Sequence, residues 1–292
     1  MKYKMIAIDI DGTLLSPLGD VTPRTRAAVH KALEAGLLVC FATGRNFTES
    51  RAVLEAIGHY DSAVFVGGAM VIDTKLGATL HRTLMDGELA RRLCDFFESR
   101  GHAVLAMQDT GHAGVDYLIS RGMPLNDATQ RWMSVTAAAI HREDDLSHHS
   151  HQHTMRVSIV APPELIEAAQ RQLLEVFGTS IVSHRLVVPA YGVEVLEVFD
   201  QAVNKWEGIL HVARRHGIEP REIIAIGDDI NDMPMIKNAG LGVAMGNANP
   251  QLQAAADQVI GHNRDDGVAV FLEELIDHHM VERIDLNEQP SH

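Results

Sequence analysis

The sequence predicts an α/β protein: a doubly wound parallel sheet interrupted by a smaller inserted α/β domain. Three observations predict it. Short apolar runs that end in polar or acidic loops alternate with helical patterns at the start of the chain. The same alternation returns near its end. Between them, over about residues 84–198, helices mix with short strands around a His-rich stretch.

The elements follow in order. Met5-Ile6-Ala7-Ile8-Asp9 reads as a parallel strand buried on both faces, and Asp11-Gly12-Thr13 breaks it. Thr22-Pro23 starts a helix, with Thr as the cap and Pro at its first position. That helix stops at Gly36. Leu37 to Ala42 is a second strand, and Thr43-Gly44-Arg45 follows it. A helix is expected over about Thr48 to Ile57, then a third strand over Ser62 to Val66 ending in Gly67-Gly68. This order implies right-handed crossovers in a parallel sheet. Inside the insertion, Met155 to Val160 and Glu194 to Val198 read as strands. Asn204 to Arg215 is then helical, and Glu222 to Ile226 is a strand that runs into Gly227-Asp228-Asp229-Ile230-Asn231-Asp232. Leu241 to Met245 and Gln258 to Ile260 are short strands. A last helix is expected over about Asp266 to His279, and the polar tail after Arg283 is expected to fray. The expected division is 1–83 with 199–292 for the core and 84–198 for the insert.

Bulk properties bound the function. The chain has 292 residues and a formal net charge of −14. That charge argues against a nucleic-acid surface, which needs clustered Lys and Arg. It also argues against an anionic membrane surface. It leaves open an anionic small substrate, because a metal and one or two cations make a site locally positive. The two cysteines, Cys40 and Cys94, have no nearby partner in sequence, so a reducing cytoplasm is expected. No leader pattern and no apolar run of about 20 residues is present, so neither export nor a membrane span is expected.

The candidate chemistry sits in four loops. Each follows the carboxyl end of an expected core strand or opens the next helix, which is where open α/β sheets bind ligands. They are Asp9-Ile10-Asp11-Gly12-Thr13, Thr43-Gly44-Arg45, the helix start at Lys205, and Gly227 to Asp232. Together they offer carboxylates, a hydroxyl, a lysine and glycine-opened amides. Clustered carboxylates are costly unless a cation neutralises them. An all-oxygen set suits Mg²⁺, which keeps waters and shares a substrate phosphate.

Asp9-Ile10-Asp11-Gly12-Thr13-Leu14 resembles the first motif of the haloacid-dehalogenase-like (HAD) phosphatases, whose core is Rossmann-like. Thr43-Gly44-Arg45 is similar to the second motif, Lys205 to the third, and Gly227 to Asp232 to the fourth. Val243-Ala244-Met245-Gly246-Asn247-Ala248 and Asn263-Arg264-Asp265-Asp266-Gly267-Val268-Ala269 are similar to the Cof-type branch, which carries a large α/β cap. The resemblance implies Asp9 as nucleophile and Asp11 as acid and base. It implies Mg²⁺ held by Asp9, the backbone carbonyl of Asp11, and Asp228. Gly12, Thr43, Gly44, Lys205 and Asn231 would meet the phosphate. Asp232 and Asp229 would support the metal's waters or Lys205 from behind. The implied activity is hydrolysis of a small phosphorylated metabolite, with sugar phosphates favoured. The cap would choose the substrate and exclude water on closure. A phosphomutase on the same core, and a phospho-ligand-binding regulator, are the alternatives.

Two positions depart from the branch's pattern. Gly67 stands where Asn is usual, and Trp206 rather than Gly follows Lys205, which is expected to shift that helix start. Arg45 is expected to pair with a surface acid. The His148, His149, His151 and His153 cluster is expected to be a solvated cap loop. Met233 and Met235 are expected to pack, and Trp132 and Trp206 to lie in the core or at an interface. Oligomeric state cannot be read from the sequence.

Overall fold

The computed structural model describes residues 3–59, 61–188 and 192–278. The chain forms two compact units, Met1–Arg82 with Asn204–His292, and Thr83–Val203.

The first unit opens with β1 (Met5–Asp9), α1 (Pro23–Glu34), β2 (Leu38–Ala42), α2 (Phe47–Ile57) and β3 (Ser62–Phe65). All five residues of β1 and of β2 are buried, as a strand covered on both faces requires. The Thr22 hydroxyl accepts the Thr25 N–H at 3.1 Å and caps α1. Asn46 caps α2 by accepting the Glu49 N–H at 2.7 Å. After β3 the chain turns back through Val66, Gly67 and Gly68, all at positive φ. Two strands absent from the sequence reading follow, β4 (Met70–Asp73) and β5 (Ala78–Arg82). Both pair antiparallel, β4 on β3 and β5 on β4. The expected all-parallel sheet is therefore a mixed one, and the reversal is a consequence of the glycine turn.

The second unit contains α3 (Gly87–Glu98), β6 (Val104–Gln108), α4 (Thr110–Ala113), β7 (Tyr117–Ser120), α5 (Asp127–Val135), β8 (Ile140–Glu143), β9 (Thr154–Ala161), α6 (Pro163–Phe177), β10 (Ile181–Val188) and β11 (Val193–Asp200). Its sheet runs β10-β11-β9-β6-β7-β8. Leu93 and Phe97 of α3 and Leu173 of α6 share one apolar cluster with Val157, Ile159 and Leu196 of the sheet. Trp132 of α5 packs edge-on to Tyr117, with centroids 5.1 Å apart. The His-rich stretch is only partly solvated. His148 is exposed, but His151 is buried, with its ring nitrogens 2.7 Å from Leu146 O and 2.8 Å from Thr154 Oγ1. The turn at Leu146–His148 folds this ring inward, which spacing alone does not show.

The chain then returns to the first unit through α7 (Lys205–Arg215), β12 (Ile223–Gly227), α8 (Met233–Asn238), β13 (Leu241–Ala244), α9 (Pro250–Ala255), β14 (Gln258–Val259) and α10 (Gly267–Asp277). The expected helix end at His279 and the tail after Arg283 lie outside the described residues. The completed sheet runs β14-β13-β12-β1-β2-β3-β4-β5. The central strand β1 pairs in parallel with β12 on one side and β2 on the other. The loops after these three strands therefore leave the sheet side by side. Trp206, Met235 and Ile236 are buried in this unit, while Met233 is half-buried. Among the described residues no helix is long and apolar enough to cross a membrane.

Candidate active site

Asp9 is the last residue of β1, and its residue exposure is 4%. The chain then passes Asp228, which follows β12, at very close range. A Cβ on Gly12 would lie 2.2 Å from Asp228 Oδ2, and Gly12 also holds φ +79°. Only glycine allows this passage. Thr13 completes the contact by donating its hydroxyl to Asp228 Oδ1 at 3.0 Å.

Lys205 is the first residue of α7, which Asn204 caps by accepting the Glu207 N–H at 3.1 Å. Its buried ammonium donates to Asp9 Oδ1 at 2.5 Å and to Asp232 Oδ1 at 2.6 Å. With Trp206 rather than Gly after it, Lys205 still opens α7 and reaches both carboxylates. Close approach is provided by other glycines: a Cβ on Gly68 would lie 1.9 Å from Asn204 O, and one on Gly208 would lie 2.5 Å from Val64 Cγ1.

Asp232 accepts the Asp228 and Asp229 N–H groups on Oδ2, at 2.9 and 3.2 Å. With Oδ1 on Lys205, both of its oxygens are engaged in holding other groups. Asp229 accepts the Ile230 N–H at 2.7 Å and caps a short turn. Asn231 Oδ1 is buried and has no partner. Thr43, also buried, accepts the Arg45 N–H on its hydroxyl at 3.1 Å, with Gly44 between them. Arg45 pairs with an exposed acid, as expected, and that acid is Asp11 itself. Its Nε donates to Asp11 Oδ2 at 2.9 Å, and Nη2 reaches Oδ1. The sequence reading missed this two-armed clamp because the partners stand 34 positions apart. It also gave no role to Asn247 and Asn263, whose amides reach the carbonyls of Gly12 and Leu15. Both lie in the quoted Cof-type segments, which were the available signal.

The electrostatics follow from burial and crowding. Burial raises the Asp9 carboxyl well above the carboxylate range; Lys205 opposes this, and Asp232 and Asp228 add to it. Burial, then Asp232, pushes Asp228 up to about 7. Burial works against the charge on Lys205, but Asp232 and Asp9 outweigh it and hold the ammonium above its ordinary range. Burial also opposes the Arg45 charge, and the Asp11 pair more than offsets it.

Asp9, Asp228 and Asp232 each offer an oxygen within 4.8 Å of the others. Asp9 Oδ2 is buried without a hydrogen-bond partner. An all-oxygen set with excess negative charge and an unpartnered oxygen fits a hard divalent cation. The Asp11 carboxylate is turned to Arg45, so only its backbone carbonyl is left for the role the resemblance gave it.

A family model described as haloacid dehalogenase-like hydrolase matches residues 6–272. The chain belongs to this family. The resemblance read from its motifs, Cof-type branch included, is borne out. The HMP-PP phosphatase of Serratia proteamaculans is 29% identical over 287 residues, covering 93% of this chain and 94% of that protein. The 5-amino-6-(5-phospho-D-ribitylamino)uracil phosphatase YitU of Bacillus subtilis is 29% identical over 279 residues, covering 94% and 97%. A haloacid dehalogenase-like hydrolase from Bacteroides thetaiotaomicron shares the fold, with a TM-score of 0.76 at 24% identity, covering 94% of this chain and all of that one. The haloacid dehalogenase-like core with an inserted α/β unit is thus established, and the chain is a hydrolase whose relatives are phosphatases.

Proposed function

We propose that this hydrolase is a Mg²⁺-dependent phosphatase that cleaves a small phosphorylated metabolite through an aspartyl-phosphate on Asp9. The carrying observation is Asp9 itself: one oxygen is held by Lys205, and the other is buried and unpartnered beside Asp228. Asp9, the Asp11 backbone carbonyl and Asp228 would hold Mg²⁺, which supplies positive charge for the phosphate. Asp9 attacks phosphorus, and the bond to the leaving oxygen breaks. Asp11 swings from Arg45 to give that oxygen a proton, then takes one from the water that hydrolyses the aspartyl-phosphate. Lys205, Thr43, Asn231 and the amides at Gly12 and Gly44 meet the phosphoryl oxygens. Asp232 acts only by holding Lys205 and the Asp228 backbone.

The substrate class we favour is sugar phosphates and related metabolites. The two curated relatives are named for HMP-PP and for a phosphoribitylamino-uracil, which supports a small phosphorylated molecule. Cys40 and Cys94 are free and buried, which supports a reducing cytoplasmic setting. The test is phosphate release from a panel of sugar phosphates, nucleotides, pyridoxal phosphate and HMP-PP, with Mg²⁺ or EDTA. The expected result is release that EDTA abolishes and that Asp9→Asn lowers at least about a thousandfold. Undiminished release by Asp9→Asn would sink the mechanism, and isomer formation without release would mark a mutase.

A further inference from the structure

The Asp9–Leu15 turn carries the proposed acid and base; it is one wide helical turn, Ile10–Leu14, whose backbone leaves helical geometry at Asp11 and Gly12. At its end the Leu15 N–H donates to Ile10 O at 3.0 Å. Two side-chain amides fasten it from outside. Asn247 donates Nδ2–H to Gly12 O at 2.8 Å, and Asn263 donates Nδ2–H to Leu15 O at 2.9 Å. The asparagines are joined to each other, because the Asn263 backbone N–H donates to Asn247 Oδ1 at 2.9 Å. The orientation of the Asn247 amide is fixed by chemistry: an N–H only donates and a carbonyl only accepts.

The base of this bracket is held backbone against backbone. Gly246 N–H donates to Gly261 O at 3.1 Å. A Cβ on Gly246 would lie 2.9 Å from Ile260 O, and one on Gly267 would lie 2.3 Å from Gly261 O. The same segment reaches the second acidic loop, where Asn249 N–H donates to Asp228 O at 2.8 Å. One short stretch, Asn247 to Asn249, therefore fastens both the loop after β1 and the loop after β12.

We infer that Asn247 and Asn263 are positioning residues that set the Asp11-Gly12-Thr13 backbone, and with it the Asp11 side chain and carbonyl, against Asp9 and Asp228. This rests on the phosphatase reading above. A purely structural tie would serve as well at any loop. These two end on the turn whose peptide orientations decide where Asp11 points and whether the Thr13 hydroxyl reaches Asp228.

Asn247→Asp tests the inference with nearly unchanged shape. It keeps the acceptor for Asn263 N–H but sets a carboxylate oxygen against Gly12 O. Asn263→Ala is the second variant, should the first fail to fold. Asp257→Ala is the control: Asp257 accepts the Gly242 N–H at 2.8 Å between β13 and β14, away from the turn. For p-nitrophenyl phosphate, kcat should fall about ten- to a hundredfold in both asparagine variants, with KM held within about threefold. Mg²⁺ binding by calorimetry should weaken, and amide hydrogen exchange over residues 11–15 should quicken. The control should lose thermal stability and keep kcat. Unchanged exchange at 11–15 with unchanged Mg²⁺ affinity in both variants would overturn the inference. So would a kcat loss no greater than that of the control. If the unmodified protein releases no phosphate, the functional reading fails, and exchange and calorimetry still judge the bracket.

Discussion

At Asp228 a half-buried carboxylate stands close to the buried Asp232, and the balance of charge becomes measurable. Its folded pKa of about 7 lies above the ordinary carboxylate value of about 4. The fold thus favours the protonated acid. In metal-free protein this contribution is complete below about pH 4 and is lost as pH rises through about 7. Asp228→Asn removes the titration and keeps an acceptor for Thr13. In EDTA the variant should be more stable than the parent at pH 8, with the advantage shrinking toward pH 4, as read from urea midpoints. A parent that gains on the variant as pH rises contradicts this. Asp9, Lys205 and Asp228 were readable from sequence because each follows a recognisable strand end or helix start. The Arg45–Asp11 clamp and the inward turn of His151 were not, because each depends on where a side chain points after folding.

The turn after β3 shows how an element places the Lys205 side chain. Gly68 holds φ +109° against the Asn204 carbonyl, and Lys205 is the next residue along α7. Gly68→Ala should cost at least about 1–3 kcal/mol, from strained backbone and a displaced helix start. It should also lower phosphate release, because Lys205 moves with that start. Gly67 holds φ +63°, a conformation that asparagine also adopts. Gly67→Asn should change stability by less than about 1 kcal/mol. Thermal melts and release assays on the pair check both statements; equal effects would contradict them. Caps and apolar runs made most elements readable. β4 and β5 were missed because a reversal at Gly67-Gly68, rather than hydrophobic pattern, decides that the chain pairs back on β3.

At the scale of the molecule, the Thr83–Val203 unit has its own sheet and its own apolar cluster of α3, α6 and strand residues. Expressed alone, residues 83–203 should fold cooperatively, giving one urea transition and mixed α/β circular dichroism. A non-cooperative transition with exposed apolar surface would contradict that. The fold class was readable because parallel-strand runs stop at the insertion and resume after it. The substrate was not. Polar side chains on the inserted sheet, such as the buried Arg156–Glu197 pair, meet through strand pairing that no motif encodes.

The central claim is covalent catalysis at Asp9, and borohydride trapping tests it most directly. The protein is mixed with p-nitrophenyl phosphate and Mg²⁺, quenched during turnover, reduced and digested. An aspartyl-phosphate is reduced to homoserine, so the peptide that spans Asp9 should carry homoserine at that position, and only when substrate is present. An unmodified Asp9 during active turnover, or homoserine at another aspartate, would contradict the account.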